Sequence, residues 1–403
     1  MIVQKFSAWA EAAGPETRAA GAAALAHAYL GDMLDLDRRS AEVALTVLLD
    51  DPSTLVRRTL AEIFAGSCEA PHHIVLALAM DRSEVSAIVL ARSPLLSDEE
   101  LIDCAAIGDA FAQAAIALRA RVSQNVAATI AEIGAREALI SLAVNAKADL
   151  APFSMRRIFE RGGEDGEVRE ALLHHPHLPD DLRVDIAGKT AEALAEFVTS
   201  CAWMTSERAA RTAREALERA TVVIAADGDS TGVRALAAHL RASGQLTLAL
   251  ILRSLLSGER ALLHSALCEL SGLPHERVAG LLRNWADGGF AAVYDKAGLP
   301  RALLPAIRAA LSAQDAFGRE TSAGDDDAAR LSMRLVERVL TACDELEGAG
   351  LGPVTALLRR LACEAAREEA RETSRAWKPA QKALPKPMVE IDLAALEAEL
   401  MAA

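Results

Sequence analysis

Histidine is the residue type most ready to signal chemistry here, and His174, His175 and His177 cluster around Pro176. A metal reading needs convergent ligands and a fourth partner at suitable spacing. A His-Pro-His turn converges poorly, and no Cys or further His lies close by in sequence. The spacing predicts a surface turn and no metal, and His72-His73 after Pro71 reads the same way. Glu160, Glu164, Asp165 and Glu167 are the nearest thing to paired carboxylates for acid–base work. They sit in or beside GGEDGE at 162–167, which reads as a flexible, solvated break that cannot hold catalytic geometry. Cys68, Cys104, Cys201, Cys268, Cys343 and Cys363 are scattered singly without a Cys-x-x-Cys, and read as small core hydrophobes in apolar helices. That scatter fits a reducing cytoplasm. With no P-loop, dinucleotide fingerprint or nucleophile elbow, the expectation is a protein that is not an enzyme, with no catalytic residue, no metal and no cofactor.

Two other features suggest binding. Arg57-Arg58, Arg119 with Arg121, and Arg156-Arg157 recur at similar positions. A basic stripe of this kind suits acidic peptides or phosphates. The plainer reading is that each arginine pairs with the aspartate of an adjacent turn, and Asp51, Asp81 and Asp109 supply the partners. The second feature is the C-terminal EIDLAALEAELMAA, behind a Pro- and Lys-bearing tether at 377–388. Its Ile391, Leu393, Leu396 and Leu400 are the apolar residues of a short acidic amphipathic segment that suits docking into a groove, of this chain or of a partner.

The elements that would carry these residues are helices. Hydrophobic residues make up 52% of the 403 positions but aromatics only 3%, and Ala and Leu dominate. No apolar run approaches the roughly 20 residues of a membrane span, and the N-terminus, which carries Glu11, is not read as a secretory signal. The net charge of −14 repels phosphate backbones, so neither membrane nor nucleic acid is the expected partner.

The stretch DRSEVSAIVLARSPLLSDEELID at 81–103 holds a helix, a stop at Ser93-Pro94 and a capped restart at Ser97, with Glu100 completing a capping box. Its opening phrase echoes Asp51-Pro-Ser-Thr-Leu-Val and returns at Asp109 and, more loosely, at Asn145. A period near 30 with Asp or Asn before an apolar helix signals a helical solenoid. One helix pair cannot bury its apolar face alone, so neighbours stack. The expected organisation is a HEAT-like repeat region at 1–190 and a second helical module at 191–313. An acidic linker at 314–328, a helical hairpin at 329–376, the tether at 377–388 and a short acidic helix at 389–403 complete it. Gly272-Leu-Pro274 and Gly298-Leu-Pro300 each precede a helix, with proline read at its first position. The apolar stripes of the hairpin exceed what a free-standing pair buries, which suggests a homodimer through 329–376.

The phrases LALAMDRSEV, SPLLSDEELID, IALRARVSQNVAATIAEIG and HHPHLPDDL, followed by GQLTLALILRSLLSGERALLHSALCELSGLPHERVAGLL, resemble the bacterial family catalogued as domain of unknown function 2336. The likeness runs over about residues 40–310. It implies a cytoplasmic protein of HEAT-like helical repeats and carries no site residues. Relatives often have Val-Ala-Arg-Pro where this chain has Val85-Ser-Ala-Ile88. The expectation is an all-α solenoid acting as a non-catalytic scaffold or adaptor for a protein partner. The alternative is a small-molecule sensor or enzyme with its site between the repeat region and the second module.

Overall fold

The computed structural model describes residue 9 and residues 12–31, 34–320, 328–344 and 352–376. Among them are 21 α-helices and no β-sheet; one isolated bridge joins Val122 and Ala148. The chain divides into two compact units, Met1–His239 and Leu240–Ala403.

The first unit opens with α1 (Pro15–Leu30), α2 (Asp35–Val47), α3 (Thr54–Phe64), α4 (His72–Ala79), α5 (Ser83–Arg92) and α6 (Asp98–Ile107). It continues with α7 (Ala110–Ala117), α8 (Gln124–Ile133), α9 (Arg136–Val144), α10 (Pro152–Gly162) and α11 (Gly166–Leu173). Helices alternate between two layers. α1, α3, α5, α7, α9 and α11 pack each on the next, and α6, α8 and α10 do the same in the other layer. This is the stacking of helix pairs that the period predicts. Most of these helices are short because side chains stop and restart them. Ser97 and Glu100 form the expected capping box on α6, and Asp109, Ser123 and Asp165 accept backbone N–H groups at the starts of α7, α8 and α11. Between the layers lies a core that includes Leu60, Phe64, Ile74, Ile116, Ile130, Leu142 and Met155, each at most 1% exposed. Each such side chain contributes about 1.5–3 kcal/mol by leaving water.

Three expectations need correction in this unit. Asp51, Asp81 and Asp109 each precede a helix of one layer, α3, α5 and α7. Asn145 precedes α10, in the other layer, so it is out of register; Asp165 before α11 is the true continuation. The GGEDGE stretch is no flexible break, because Gly162 ends α10, Gly166 begins α11, and Asp165 caps the restart. No boundary falls at 190/191, since α12 (Asp180–Ser200) runs through it and pairs with α13 (Ser206–Asp227). The compact division comes instead at His239/Leu240, within α14 (Ser230–Ala242).

In the second unit, α15 (Leu248–Leu256), α16 (Ala261–Ser271), α17 (His275–Arg283), α18 (Gly288–Lys296) and α19 (Leu304–Glu320) enclose a core around Leu267, Phe290, Tyr294 and Leu311. The Tyr294 hydroxyl donates to the Pro300 carbonyl at 3.0 Å. Gly272 and Gly298 take φ +66° and +73°, so left-handed glycine, rather than a proline at the first helical position, makes both turns; Pro274 is the residue before α17. α19 continues through residues read as linker. Phe317 is buried, and Arg260 and Trp285 bind Gln314 and Asp315, with Trp285 Nε1 donating to Asp315 at 2.8 Å. The hairpin of α20 (Ala328–Asp344) and α21 (Gly352–Ala376) buries Leu335, Val336, Val339, Leu358 and Leu361 in the same core. The tether and the acidic segment with Ile391, Leu393, Leu396 and Leu400 lie outside the described residues.

Candidate functional site

Apart from the exposed Arg121, the arginines of the basic stripe are engaged within the stack. Arg18 pairs with Asp51 through two bonds of 2.7 and 2.9 Å, Arg57 pairs with Asp81, and Arg136 with Asp165. Ser83 takes the same role toward Asp109. Where Ala135 stands in the aspartate's place, the buried Gln113 side chain accepts from the Ala135 N–H at 2.8 Å and donates to the Ala105 carbonyl. One polar side chain per helix thus reaches the turn before the next helix of its layer. Other side chains close helix ends: Arg119 donates to the carbonyls of Leu90 and Ser93, Arg161 to Ala131 and Gly134, and Asn145 to Ala117 and Arg119. Arg156 binds Asp181 and Asp185, Arg157 binds Glu132 and Glu160, and Arg58 binds Glu62. These bonds hold Asp51, Asp109, Glu132, Glu164 and Asp165 below the ordinary carboxylate range, first through a side-chain partner in each case. The candidate carboxylates Glu160, Glu164, Asp165 and Glu167 all have arginine or lysine partners.

His174, His175 and His177 do form a turn, but His175 is not on the surface. It is 4% exposed, with His177 as a T-shaped neighbour at 6.1 Å. Burial, with a smaller contribution from His177, depresses its pKa. The His177 N–H donates to its Nδ1, and its Nε2 is buried without a protein partner. His72 instead binds Glu100 at 2.7 Å. Cys104 is the core cysteine that was expected, whereas Cys68, Cys201 and Cys363 are exposed. Cys68 follows α3 in a turn, and Cys201 is the residue after α12.

An exposed apolar surface suited to binding lies on the α12–α13 hairpin. The buried residues of α12 are Leu182, Val184 and Ile186, all near its start, and those of α13 are Ala209, Thr221, Val222 and Ala225. The base is tied down: Arg156 binds Asp181 and Asp185, and His239 Nε2 lies 2.7 Å from Asp185. Beyond the base the two helices enclose an open apolar cleft of about 550 Å³. Alanines such as Ala191 and Ala213 form its floor, with Leu194, Val198, Met204 and Leu217 around them. The tip is held by Ala202 at φ +55°, and Phe197 meets Trp203 edge-to-face at 5.7 Å. Leu194 is 59% exposed and Trp203 70%. Contiguous apolar surface left in water marks a site for another apolar surface. Arg183 lines the cleft, and Arg208, Arg211 and Arg214 are exposed along α13. A smaller groove of about 460 Å³ lies across α3, α5 and α7, where Ile88, Phe111 and Leu118 are interrupted by Arg58, Glu84 and Arg92.

Sequence reasoning missed the cleft because its helices were divided between two expected domains. The signal was present in the run of alanines spaced along both helices, small enough to leave a trough between larger neighbours.

No curated protein and no solved structure matches the chain. A family profile does match, over residues 85–347, which is well over half of the sequence and includes the hairpin. The chain belongs to the bacterial family described as uncharacterised protein conserved in bacteria, domain of unknown function 2336.

Proposed function

We propose that this protein is a non-catalytic scaffold, acting in the cytoplasm, whose α12–α13 cleft receives an acidic amphipathic helix of a protein partner. The observation that carries this reading is the open apolar cleft, with Leu194, one of its lining residues, 59% exposed. A helix laid in such a groove buries its apolar face at i, i+3, i+4 and i+7 anchors. Each large side chain it covers returns about 1.5–3 kcal/mol. Arg183, which lines the cleft, favours an acidic side chain on the incoming helix. No described helix is long and apolar enough to cross a membrane.

A peptide of residues 389–403 has the required chemistry, with Leu393, Leu396 and Leu400 at helical i, i+3 and i+7 spacing and Glu390, Asp392, Glu397 and Glu399 among them. Fluorescence anisotropy of that labelled peptide against the full chain should give a Kd on the order of micromolar. Leu194→Glu should abolish binding while circular dichroism stays unchanged. Absence of binding, or binding indifferent to Leu194→Glu, would remove the cleft as a helix site. The cavity volume also falls within the range of small-ligand pockets, roughly 300–1,000 Å³. Binding of a fatty-acid probe without the peptide would favour that second reading, a sensor for an apolar small molecule.

A further inference from the structure

We propose that His264, Cys268 and His275 form a zinc site in the second unit, with three protein ligands and one open position. The local chain builds it in three steps. His264 and Cys268 are four residues apart on α16, so both side chains leave the same face. Gly272, at φ +66°, then ends the helix in a conformation that L-residues adopt at a cost. The Ser271 hydroxyl accepts the Leu273 N–H at 3.3 Å, and Leu273-Pro274 returns the chain so that His275, the first residue of α17, comes back beside Cys268.

The ligand atoms of all three residues lie within 4.8 Å of one another, and each residue is half-buried. Cys268 Sγ is 3.5 Å from His275 Nδ1. Zinc at about 2.3 Å from sulfur and about 2.0–2.1 Å from nitrogen, in a tetrahedron, requires an S···N edge of about 3.6 Å. The His264 and His275 rings lie against each other, 3.9 Å apart between centroids and tilted by 37°, so a shared ion would turn them apart slightly as it draws in their nitrogens. His264 Nε2 lies 3.0 Å from the His275 carbonyl oxygen. A carbonyl accepts only, so Nε2 carries the proton and the Nδ1 lone pair is left for a metal. A ring N–H held by a backbone carbonyl is the usual outer support of a metal-binding histidine. Two imidazoles and a thiolate suit a borderline-soft divalent ion rather than magnesium or calcium, which take oxygen ligands.

On binding, the Cys268 thiol forms the Zn–S bond as its S–H bond breaks, and the proton passes to solvent. The two histidines bind as neutral imidazoles, so acid weakens the site. The fourth position is left for water or for an atom of an incoming ligand. None of this depends on the hairpin cleft.

The test uses the full chain, purified without a histidine tag and stripped with a chelator. Titration with Zn²⁺ against a chromophoric chelator should show one equivalent bound, and Cys268→Ser or His275→Asn should weaken binding by about 100-fold or more. His177→Asn, in the other histidine cluster, should bind as the parent does. Co²⁺ loaded into the unmodified chain should give the visible d–d bands of a tetrahedral ion together with thiolate-to-cobalt charge transfer. That readout is independent of whether any variant folds. No stoichiometric binding, a cobalt spectrum without thiolate charge transfer, or a folded Cys268→Ser that binds as the parent would each overturn the proposal.

Discussion

The repeat stack and the α12–α13 hairpin are made of the same Ala- and Leu-rich material and use it in opposite ways. In the stack, apolar stripes such as Val56, Leu60 and Phe64 face neighbouring helices and are closed off from water, and one polar side chain per helix pins the next turn. In the hairpin, Leu194, Phe197 and Trp203 keep more than half of their surface in water, while Arg156 and His239 anchor the base through Asp181 and Asp185. The lesson is that periodic apolar residues define a helix face without saying whether the chain itself supplies the cover. A stack supplies it by repetition. A hairpin that projects from the stack leaves its outer half for something else.

The largest expected effect tests that difference by cavity formation. Leu60→Ala, at a fully buried position, should cost about 2–5 kcal/mol of unfolding free energy in urea melts. Leu194→Ala should change stability by no more than about 0.5 kcal/mol. If the hairpin variant cost as much as the stack variant, the two regions would not differ as described.

The polar ladder gives the next effect. Arg57 makes paired bonds to Asp81 and donates to the Asp51 carbonyl, with both side chains about 13–14% exposed. Arg57→Ala should cost about 1–2 kcal/mol, the lower end reflecting solvent screening, while Arg121→Ala, at an exposed position, should be close to neutral. Equal losses from both would break the assignment of the basic stripe to repeat bridging.

A pH series separates the stack's end from its carboxylates. Burial depresses the pKa of His175, so the unfolded chain takes up a proton that the native chain refuses. Its contribution is fully present above the ordinary histidine value of about 6.5 and is lost as pH falls below it. The urea midpoint should therefore decline between pH 7.5 and 5.5, and His175→Asn should flatten that decline. The carboxylates with depressed pKa act lower, their contribution being lost as pH falls below about 4. An unchanged slope in His175→Asn would contradict the buried neutral imidazole.

The smallest effect lies at the hairpin tip. Ala202 has positive φ, and a glycine there relieves backbone strain of roughly 1 kcal/mol, partly offset by chain entropy. Ala202→Gly should slow amide exchange around 195–208 and leave the stack unchanged. Slower exchange in the stack would mean that the hairpin is not an independent element.

Much of this fold can be read from the residues. Asp109, Ser97 with Glu100, and the period near 30 carry their meaning locally, within a few positions of the helix start they dictate. What escaped depends on partners far along the chain. Asn145 looks like Asp109 in sequence, and only the layer to which the next helix belongs shows that Asp165 is the real successor. Gln113 does an aspartate's work from another repeat. Gln314 and Asp315 look like linker residues until Arg260, over 50 positions away, is seen to hold them. His264, Cys268 and His275 were passed over because one cysteine and two histidines on two helices match no paired-cysteine pattern. The cleft escaped because a domain boundary was drawn through α12.

Amide hydrogen exchange of the full chain, with and without saturating 389–403 peptide, tests the central claim most directly. The expected result is new protection confined to 187–220 on α12 and α13. Protection appearing instead over 84–118, where the smaller groove crosses α5 and α7, or no change anywhere, would contradict it.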